Sequence, residues 1–391
     1  MARKQAEFDI VVYGASGFTG RLVAEYLAQR GLRGWAMAGR SLSKLAEVRD
    51  EIGARADTPL IEADASDPAS LTAMCDRTRV VITTVGPYQL YGPELVRACA
   101  KTGTDYVDLC GEPAWMREMI DAHDATAKKT GARIVFSCGF DSIPFDLGVW
   151  FLQQEAVRKY GKPAPRVKGR VRKMQGAASG GTIASLTATV KAAAANPSLV
   201  KLLTSPFALT PGFEGPPQPS GLVPEYDEAS GTWTAPFVMA TINTKNVHRS
   251  NFLLDHAYGA DFVYDEMMMT TIGEAGKAMA EGIAKALKSA NPFGDGPQPK
   301  PGEGPSREER ESGFYSLLFI AEFPDGATLK ASVKGDRDPG YGSTSKMIAE
   351  SALTLLENDT PGGVVTPGGI IAKPLLDRLQ ANAGIEFAIE A

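Results

Sequence analysis

The sequence predicts an α/β protein: a doubly wound parallel sheet joined to a second, α+β domain. Three observations carry this. Short apolar runs recur at 8–13, 35–39, 59–63, 80–84, 106–109 and 134–137, with helical periodicities between them, the rhythm of repeated βα units. A glycine turn over 14–20 follows the first run and opens a helix. After Phe145 the rhythm changes to longer strand-like stretches, 166–174, 232–241, 315–323 and 328–333.

Taken in order, the first short apolar run, Phe8–Tyr13, reads as the first strand. Phe18, Leu22, Val23, Tyr26 and Leu27 then form one apolar stripe on a helix able to cover the sheet. Segments 93–101 and 114–129 supply further crossovers. Six strands with right-handed connections give a Rossmann-type doubly wound parallel sheet. Segments 205–224 and 291–305 are rich in Pro and Gly, which sustain neither helix nor central strand. They read as surface loops, either a lid over substrate or plain insertions. Segments 345–356 and 369–379 read as terminal helices. The expected division is 1–146 as the first domain, 147–342 as the α+β domain, and 343–391 as helices returning to the first domain.

Composition narrows the class of function. The 391 residues are 43% hydrophobic and 22% charged, and 41 Lys+Arg against 46 Asp+Glu give a net charge of -5. This is an ordinary globular profile, and it argues against nucleic-acid binding, which needs clustered cations. Four cysteines without CxxC spacing and only three histidines, His123, His248 and His256, encode no metal centre locally. The N-terminal MARKQAEFD has no apolar signal core, and the most apolar long stretch, 174–190, is broken by Gln, Gly, Ser and Thr. The expectation is a cytoplasmic protein without a transmembrane segment; a homodimer stays open.

The glycine turn reads Gly14-Ala15-Ser16-Gly17-Phe18-Thr19-Gly20. Gly14 permits the tight turn, Gly17 lets backbone approach a pyrophosphate, and Gly20 allows helix and strand to pack closely. The helix N-terminus then offers N–H groups and partial positive charge to phosphates. An NAD site carries Asp or Glu about 20 residues further on; this chain has Gly39-Arg40-Ser41, with Lys44 one turn later. A guanidinium pairs with a 2′-phosphate that a carboxylate would repel, so the expected cofactor is NADP(H). Asp64 either borders the adenine or is a solvated strand-end carboxylate.

Several further strings stand out: Val85-Gly86-Pro87-Tyr88 with Tyr91-Gly92, Cys138-Gly139-Phe140-Asp141-Ser142-Ile143-Pro144, and Asp338-Pro339-Gly340-Tyr341-Gly342 followed by Ser343-Thr344-Ser345-Lys346. Together with the glycine turn and Ala38-Gly39-Arg40-Ser41, they resemble the saccharopine dehydrogenase-like oxidoreductases, in the branch that includes the bacterial trans-acting enoyl reductases. The resemblance touches both domains. It implies an NADP(H)-binding Rossmann domain, an inserted substrate domain and C-terminal helices that return to the first domain. No Tyr has Lys four residues later, so the Tyr-xxx-Lys pair of short-chain dehydrogenases is missing.

Hydride transfer needs the nicotinamide held against an acceptor carbon beyond the carboxyl ends of the strands, and a donor where negative charge develops. Gly86, Pro87 and Tyr88 follow the fourth strand there, and Asp141 follows the sixth. Tyr88 either supplies an O–H or walls the nicotinamide. Asp141, protonated, supplies one too, or it caps the turn before Ile143. Tyr341, Glu112 and His248 are secondary candidates, the alternatives being a plain turn residue, an exposed loop carboxylate and a surface-loop residue respectively, and Cys110 and Cys138 read as core packing. Arg166, Lys168, Arg170 and Arg172 alternate along one strand face, either to recognise an anionic carrier or to protect an edge strand. The expected substrate is a small-molecule, carrier-linked or lipid-linked acyl chain, unsaturated or carbonyl-bearing. The alternatives are an amino-acid adduct and a non-catalytic NADP-binding sensor or scaffold.

Overall fold

The computed structural model describes residues 4–176, 185, 187–189, 196–288 and 303–390. Most of the apolar stretch 174–190 and of the loop 291–305 lies outside them.

The first sheet has seven parallel strands: β1 (Phe8–Tyr13), β2 (Trp35–Gly39), β3 (Leu60–Glu62), β4 (Thr78–Thr83), β5 (Asp105–Val107), β6 (Arg133–Val135) and, from far along the chain, β13 (Gly363–Val365). Their order is β13-β6-β5-β4-β1-β2-β3. The first six strands match the six apolar runs, and the strand order reverses between β1 and β4, where a doubly wound sheet opens its ligand crevice. Helices α1 (Phe18–Gln29), α2 (Leu42–Glu51), α3 (Pro68–Asp76), α4 (Tyr88–Tyr91), α5 (Pro93–Thr102) and α6 (Pro113–Thr130) join successive strands. The local chemistry starts them: Ser41 and Asp67 accept N–H groups at the first turns of α2 and α3, and Pro stands in the first turns of α3, α5 and α6.

Helix α7 (Ile143–Tyr160) carries the chain to the second sheet. That sheet comprises β7 (Arg166–Gln175), β8 (Glu225–Asp227), β9 (Thr232–Pro236), β10 (Val263–Met269), β11 (Phe314–Glu322), β12 (Thr328–Gly335) and β14 (Ile385–Glu390), in the order β14-β12-β11-β7-β10-β9-β8. Only β7 and β10 pair in parallel; the other neighbours are antiparallel. Helices α8 (Pro197–Thr204), α9 (Ala240–Leu253), α10 (Gly273–Leu287) and α11 (Arg307–Ser312) belong to this half, and segment 205–224 is turn and loop, as its Pro and Gly content predicts. A π-turn, Pro339–Ser343, leads into α12 (Thr344–Glu357), followed by α13 (Pro367–Ile370) and α14 (Ala372–Asn382).

Three expectations need correction. The strand expected over 232–241 stops at Pro236, because α9 starts at Ala240. The C-terminal segment is not helical throughout: β13 extends the first sheet at β6 and β14 extends the second at β12. The basic strand is neither an edge nor a docking surface. β7 is fourth of seven, and its cations are matched internally: Arg166 with Asp265, Lys168 with Asp227 and Glu322, Arg170 with Asp227 and Asp265, and Arg172 with Glu390. Charges in a central strand are tolerated only when paired.

One apolar core lies over the first sheet beneath α3, α5 and α6, with Val11, Val81, Trp115 and Phe136 at its centre. A second is continuous from α1 and α12, through α7, to Val167, Phe319 and Val333 of the second sheet. No helix among the described residues is long and apolar enough to cross a membrane.

Candidate active site

The glycine turn has the shape its spacing predicts. Gly14 has φ +87°, and a Cβ there would lie 2.7 Å from Val85 Cγ2; a Cβ on Gly20 would lie 2.1 Å from the Gly14 carbonyl oxygen. Each position therefore excludes any side chain. Gly17 is the N-cap of α1 and, having no side chain, leaves the helix uncapped; the first turn also holds no acidic residue. Ala15 is buried, while Ser16 and Gly17 are exposed and Thr19 half-buried. Uncapped N–H groups with no local carboxylate are what a pyrophosphate requires. Phe18 points elsewhere: its ring meets Tyr341 edge-on at 5.2 Å, beneath the Arg310 guanidinium at 5.6 Å. It docks the C-terminal part of the chain onto the turn.

At the end of β2, Arg40 and Lys44 are exposed, and Ser41 caps α2 by accepting the Lys44 amide. Asp64 binds the amide and hydroxyl of Ser66, both at 2.8 Å. Those bonds hold it below the usual carboxylate range, with a smaller pull from nearby Arg40. Asp64 thus shapes its own turn and neighbours Arg40. The residues fit NADP(H): a phosphate cradle with no room for Cβ atoms at Gly14 and Gly20, and an exposed guanidinium where an NAD site would carry an acid.

Across the crevice, Gly86 is exposed and the Gly86–Pro87 peptide is cis. Tyr88 is buried; its hydroxyl donates to the Thr83 carbonyl (3.3 Å) and accepts the Leu109 amide (3.1 Å). Burial, then Asp108, pushes the phenol well above its ordinary range. A proton donor needs an O–H free to meet substrate, and this one braces the ends of β4 and β5 instead. Glu112 is not an exposed loop residue: it is 3% exposed and accepts the Tyr88 and Gln89 amides at 2.9 and 2.8 Å, capping α4. Asp108 ties β5 to β6 by accepting the Cys110 and Ser137 amides and the Tyr106 hydroxyl. Cys110 and Cys138 are buried free thiols.

Asp141 differs from these carboxylates. It follows β6 and is partly accessible; among the described residues it makes no hydrogen bond, and Ser142, not Asp141, is the N-cap of α7. Burial alone pushes its carboxyl up to about 7.

Residues 10–135 match the family model of the saccharopine dehydrogenase NADP binding domain. A trans-acting enoyl reductase of Mycobacterium ulcerans is 40% identical over 99% of this chain and 99% of its own. A Mycobacterium tuberculosis relative, 42% identical over 99% of this chain and 98% of its own, bears the same name as a provisional assignment. The chain belongs to the saccharopine dehydrogenase-like oxidoreductases. It is an NADP-dependent member of that family. Saccharopine dehydrogenase (L-Glu forming) of Saccharomyces cerevisiae superposes with a TM-score of 0.55 at 13% identity, over 98% of this chain and 100% of that one, so the two share the fold.

The family's distinctive strings meet in space. The Phe140 amide donates to Thr344 Oγ1 (2.9 Å), Thr344 donates to the Pro339 carbonyl (2.8 Å), and the Phe140 ring packs on Tyr315 at 4.9 Å. Asp338 accepts the Tyr341 and Gly342 amides and fixes the π-turn. Tyr341 is accordingly a buried packing residue against Phe18 rather than a turn ornament. For the cofactor, Arg40→Ala is expected to weaken NADPH binding by roughly 10- to 100-fold, the worth of a charge-assisted hydrogen bond or two. NADH binding should barely change. Equal losses in fluorescence titrations would overturn the role given to Arg40.

The sequence reading missed α9 as a functional element. Asn243, Lys245, Asn246, His248, Arg249, Ser250 and Asn251 are all buried on it, and the helix packs against β10 of the second sheet and β13 of the first. Asn246 donates to Ser142 Oγ (2.8 Å), beside Asp141, and Asn243 donates to Glu266 Oε2 on β10 (2.9 Å). A helix polar around its whole circumference is the signal that could have found it. His248 is in this helix and not in a surface loop, with its ring 4.7 Å from that of Phe207. Burial, then Lys245, lowers its imidazole to about 3, so it is neutral near pH 7 and protonates nothing. A depressed folded pKa means that the unfolded chain binds the proton first on acidification. Stability therefore falls as pH drops from about 6.5 toward 3, by about 1.4 kcal/mol per unit. His248→Phe should remove that slope, seen as a stability difference from wild type that changes with pH in urea titrations.

Proposed function

We propose that the protein reduces the carbon–carbon double bond of an α,β-unsaturated acyl chain, carrier-linked or lipid-linked, in the cytoplasm. The observation that carries this reading is Asp141: a half-buried carboxyl in the turn after β6 with no hydrogen-bond partner among the described residues, raised to about 7 by burial so that its acid form is present near neutral pH, in a chain whose full-length relatives are named enoyl reductases. Gly14, Gly17, the N-terminus of α1 and Arg40 would hold NADPH, with Gly86 and Pro87 bordering the crevice. When bound, NADPH supplies a hydride for the β-carbon. Asp141 then protonates the α-carbon, and Tyr88, Glu112 and Asp108 keep the surrounding turns fixed by their backbone hydrogen bonds.

An amino-acid adduct would require buried guanidiniums free to grip α-carboxylates. Among the described residues the buried arginines are engaged: Arg133 with Asp105, Arg170 with Asp227 and Asp265, and Arg249 through both Nη atoms with the Leu209 and Val364 carbonyls, which leaves it only Nε. The test is NADPH consumption with a panel of 2-enoyl thioesters, the product weighed for the gain of two hydrogens. Turnover confined to amino acid and keto acid pairs would defeat the acyl reading. Tight NADPH binding without any turnover would support a sensor.

A further inference from the structure

We propose that the groove between α4, α6 and α8 seats the hydrocarbon tail of the acyl substrate, and that Leu199, Leu203 and Trp115 set the chain length the protein accepts. This rests on the acyl-reductase reading above. The groove has a volume of about 110 Å³. Leu199 and Leu203 stand four residues apart on α8 and so share one face of that helix. With Ala114 and Trp115 from the first turn of α6 they make the apolar walls. Trp115 is 4% exposed and held from behind, its ring 5.8 Å from that of Tyr88 and 5.3 Å from that of Phe136. Gly92 leaves room for it, since a Cβ there would lie 2.5 Å from Trp115 Cζ2. A wall fixed in this way has its shape before a ligand arrives.

Two segments join the groove to the crevice. Helix α4 starts directly after the Gly86–Pro87 peptide that borders the crevice, and its second residue, Gln89, lines the groove. Opposite α4 are Ser185 and Thr189, linked by a bond from Thr189 Oγ1 to the Ser185 carbonyl (3.0 Å). A Cβ on Gly86 would lie 3.8 Å from Ser185 Oγ, and Gln89 Nε2 donates to Thr189 Oγ1 at 3.4 Å. Groove and crevice therefore share two walls.

The chemistry of the lining selects the occupant. Its polar groups are engaged, Gln89 with Thr189, and Glu112 with the Tyr88 and Gln89 amides. Its charged residues are both acids, Glu112 and the exposed Glu118, and among the described residues no cation lines it. Such a lining repels a phosphate or a free carboxylate, so the anionic part of a carrier arm does not belong here. What stays open is apolar surface, which a neutral hydrocarbon covers favourably. The volume, below the ~150 Å³ of an apolar cavity that takes up benzene, accommodates roughly four methylenes.

Two measurements test this. Burial of those methylenes should make kcat/KM for a 2-octenoyl thioester exceed that for a 2-butenoyl thioester by roughly 10- to 100-fold. Leu203→Trp, which fills the groove, should bring that ratio down to near one. Independently of turnover, a saturated octanoyl thioester should shift the Trp115 ¹⁹F resonance of fluorotryptophan-labelled, NADP-loaded wild type, and a butanoyl thioester should not; Trp115→Phe identifies the signal. In an enzyme that reduces enoyl thioesters, a Leu203→Trp ratio equal to that of wild type, or an unmoved Trp115 resonance, overturns the seat alone. A shift produced by pantetheine without an acyl chain assigns the groove to the carrier arm and overturns the seat as well. A resonance that moves with the octanoyl thioester in a protein that reduces no enoyl thioester overturns the proposed reduction and leaves the chain seat standing.

Discussion

Asp141→Asn is expected to lower turnover by about 100- to 10,000-fold, the range that a positioned general acid contributes, and to leave NADPH affinity nearly unchanged. The pH profile supplies the sharper test. Because the acid form does the work, wild-type activity should hold on the acid side and fall as pH rises through about 7, where Asp141 ionises. The residual activity of the variant should lack the Asp141 ionisation. Stability should move the other way. A carboxyl whose folded pKa is raised from 3.8 to about 7 contributes fully below pH 3.8 and loses that contribution as pH climbs toward 7. Asn carries no such penalty, so the variant should gain on wild type by up to about 1.4 kcal/mol per pH unit across that window. If Asp141 instead caps the turn before Ile143, the variant will lose stability at every pH and keep its rate. Urea titrations and initial rates on one preparation separate the two outcomes.

Much of the cofactor half was legible because its determinants are local. A strand, a glycine turn and an amphipathic helix are each encoded within a dozen residues, and Gly14, Gly20 and Arg40 stand where that code puts them. The substrate side was harder because its determinants are tertiary. Glu112 looks like a loop carboxylate until α4 brings two amides onto it, and Tyr88 looks like a donor until Thr83 and Leu109 claim its hydroxyl. Strand β13 has only three residues and too little length for periodicity; it exists because β6 offers an unpaired edge. β14 did show alternation, with Ile385 and Phe387 buried and Glu386 exposed, but that pattern sits at the end of a helical stretch. Helix α9 defeats pattern reading altogether, since its buried polar residues answer to partners on β10 and α7 rather than to a core.

Arg170→Ala is expected to destabilise the fold by about 3–5 kcal/mol, the largest stability loss foreseen for a residue away from the crevice. Arg170 is 1% exposed on the central strand of the second sheet. Its Nε meets Asp227 Oδ2 at 2.7 Å and its Nη1 meets Asp265 Oδ2 at 2.8 Å. Removing it takes the buried cation from both carboxylates and leaves each with a single, more exposed partner, Arg166 for Asp265 and Lys168 for Asp227, and stripping a buried carboxylate of its buried partner costs more than the lost bonds. Arg170→Ala with Asp265→Asn should therefore lose less than the sum of the single variants, because the second change removes a charge that the first stranded. Additive losses would show that packing, not charge, is what Arg170 supplies. The same experiment judges the competing use of this strand. A basic face built to grip an anionic carrier would lose affinity for acyl carriers when Arg170 is removed and keep its stability. A cation bonded to two Asp residues in the middle of a sheet should do the reverse, which denaturant midpoints and KM for a carrier-linked substrate would show directly.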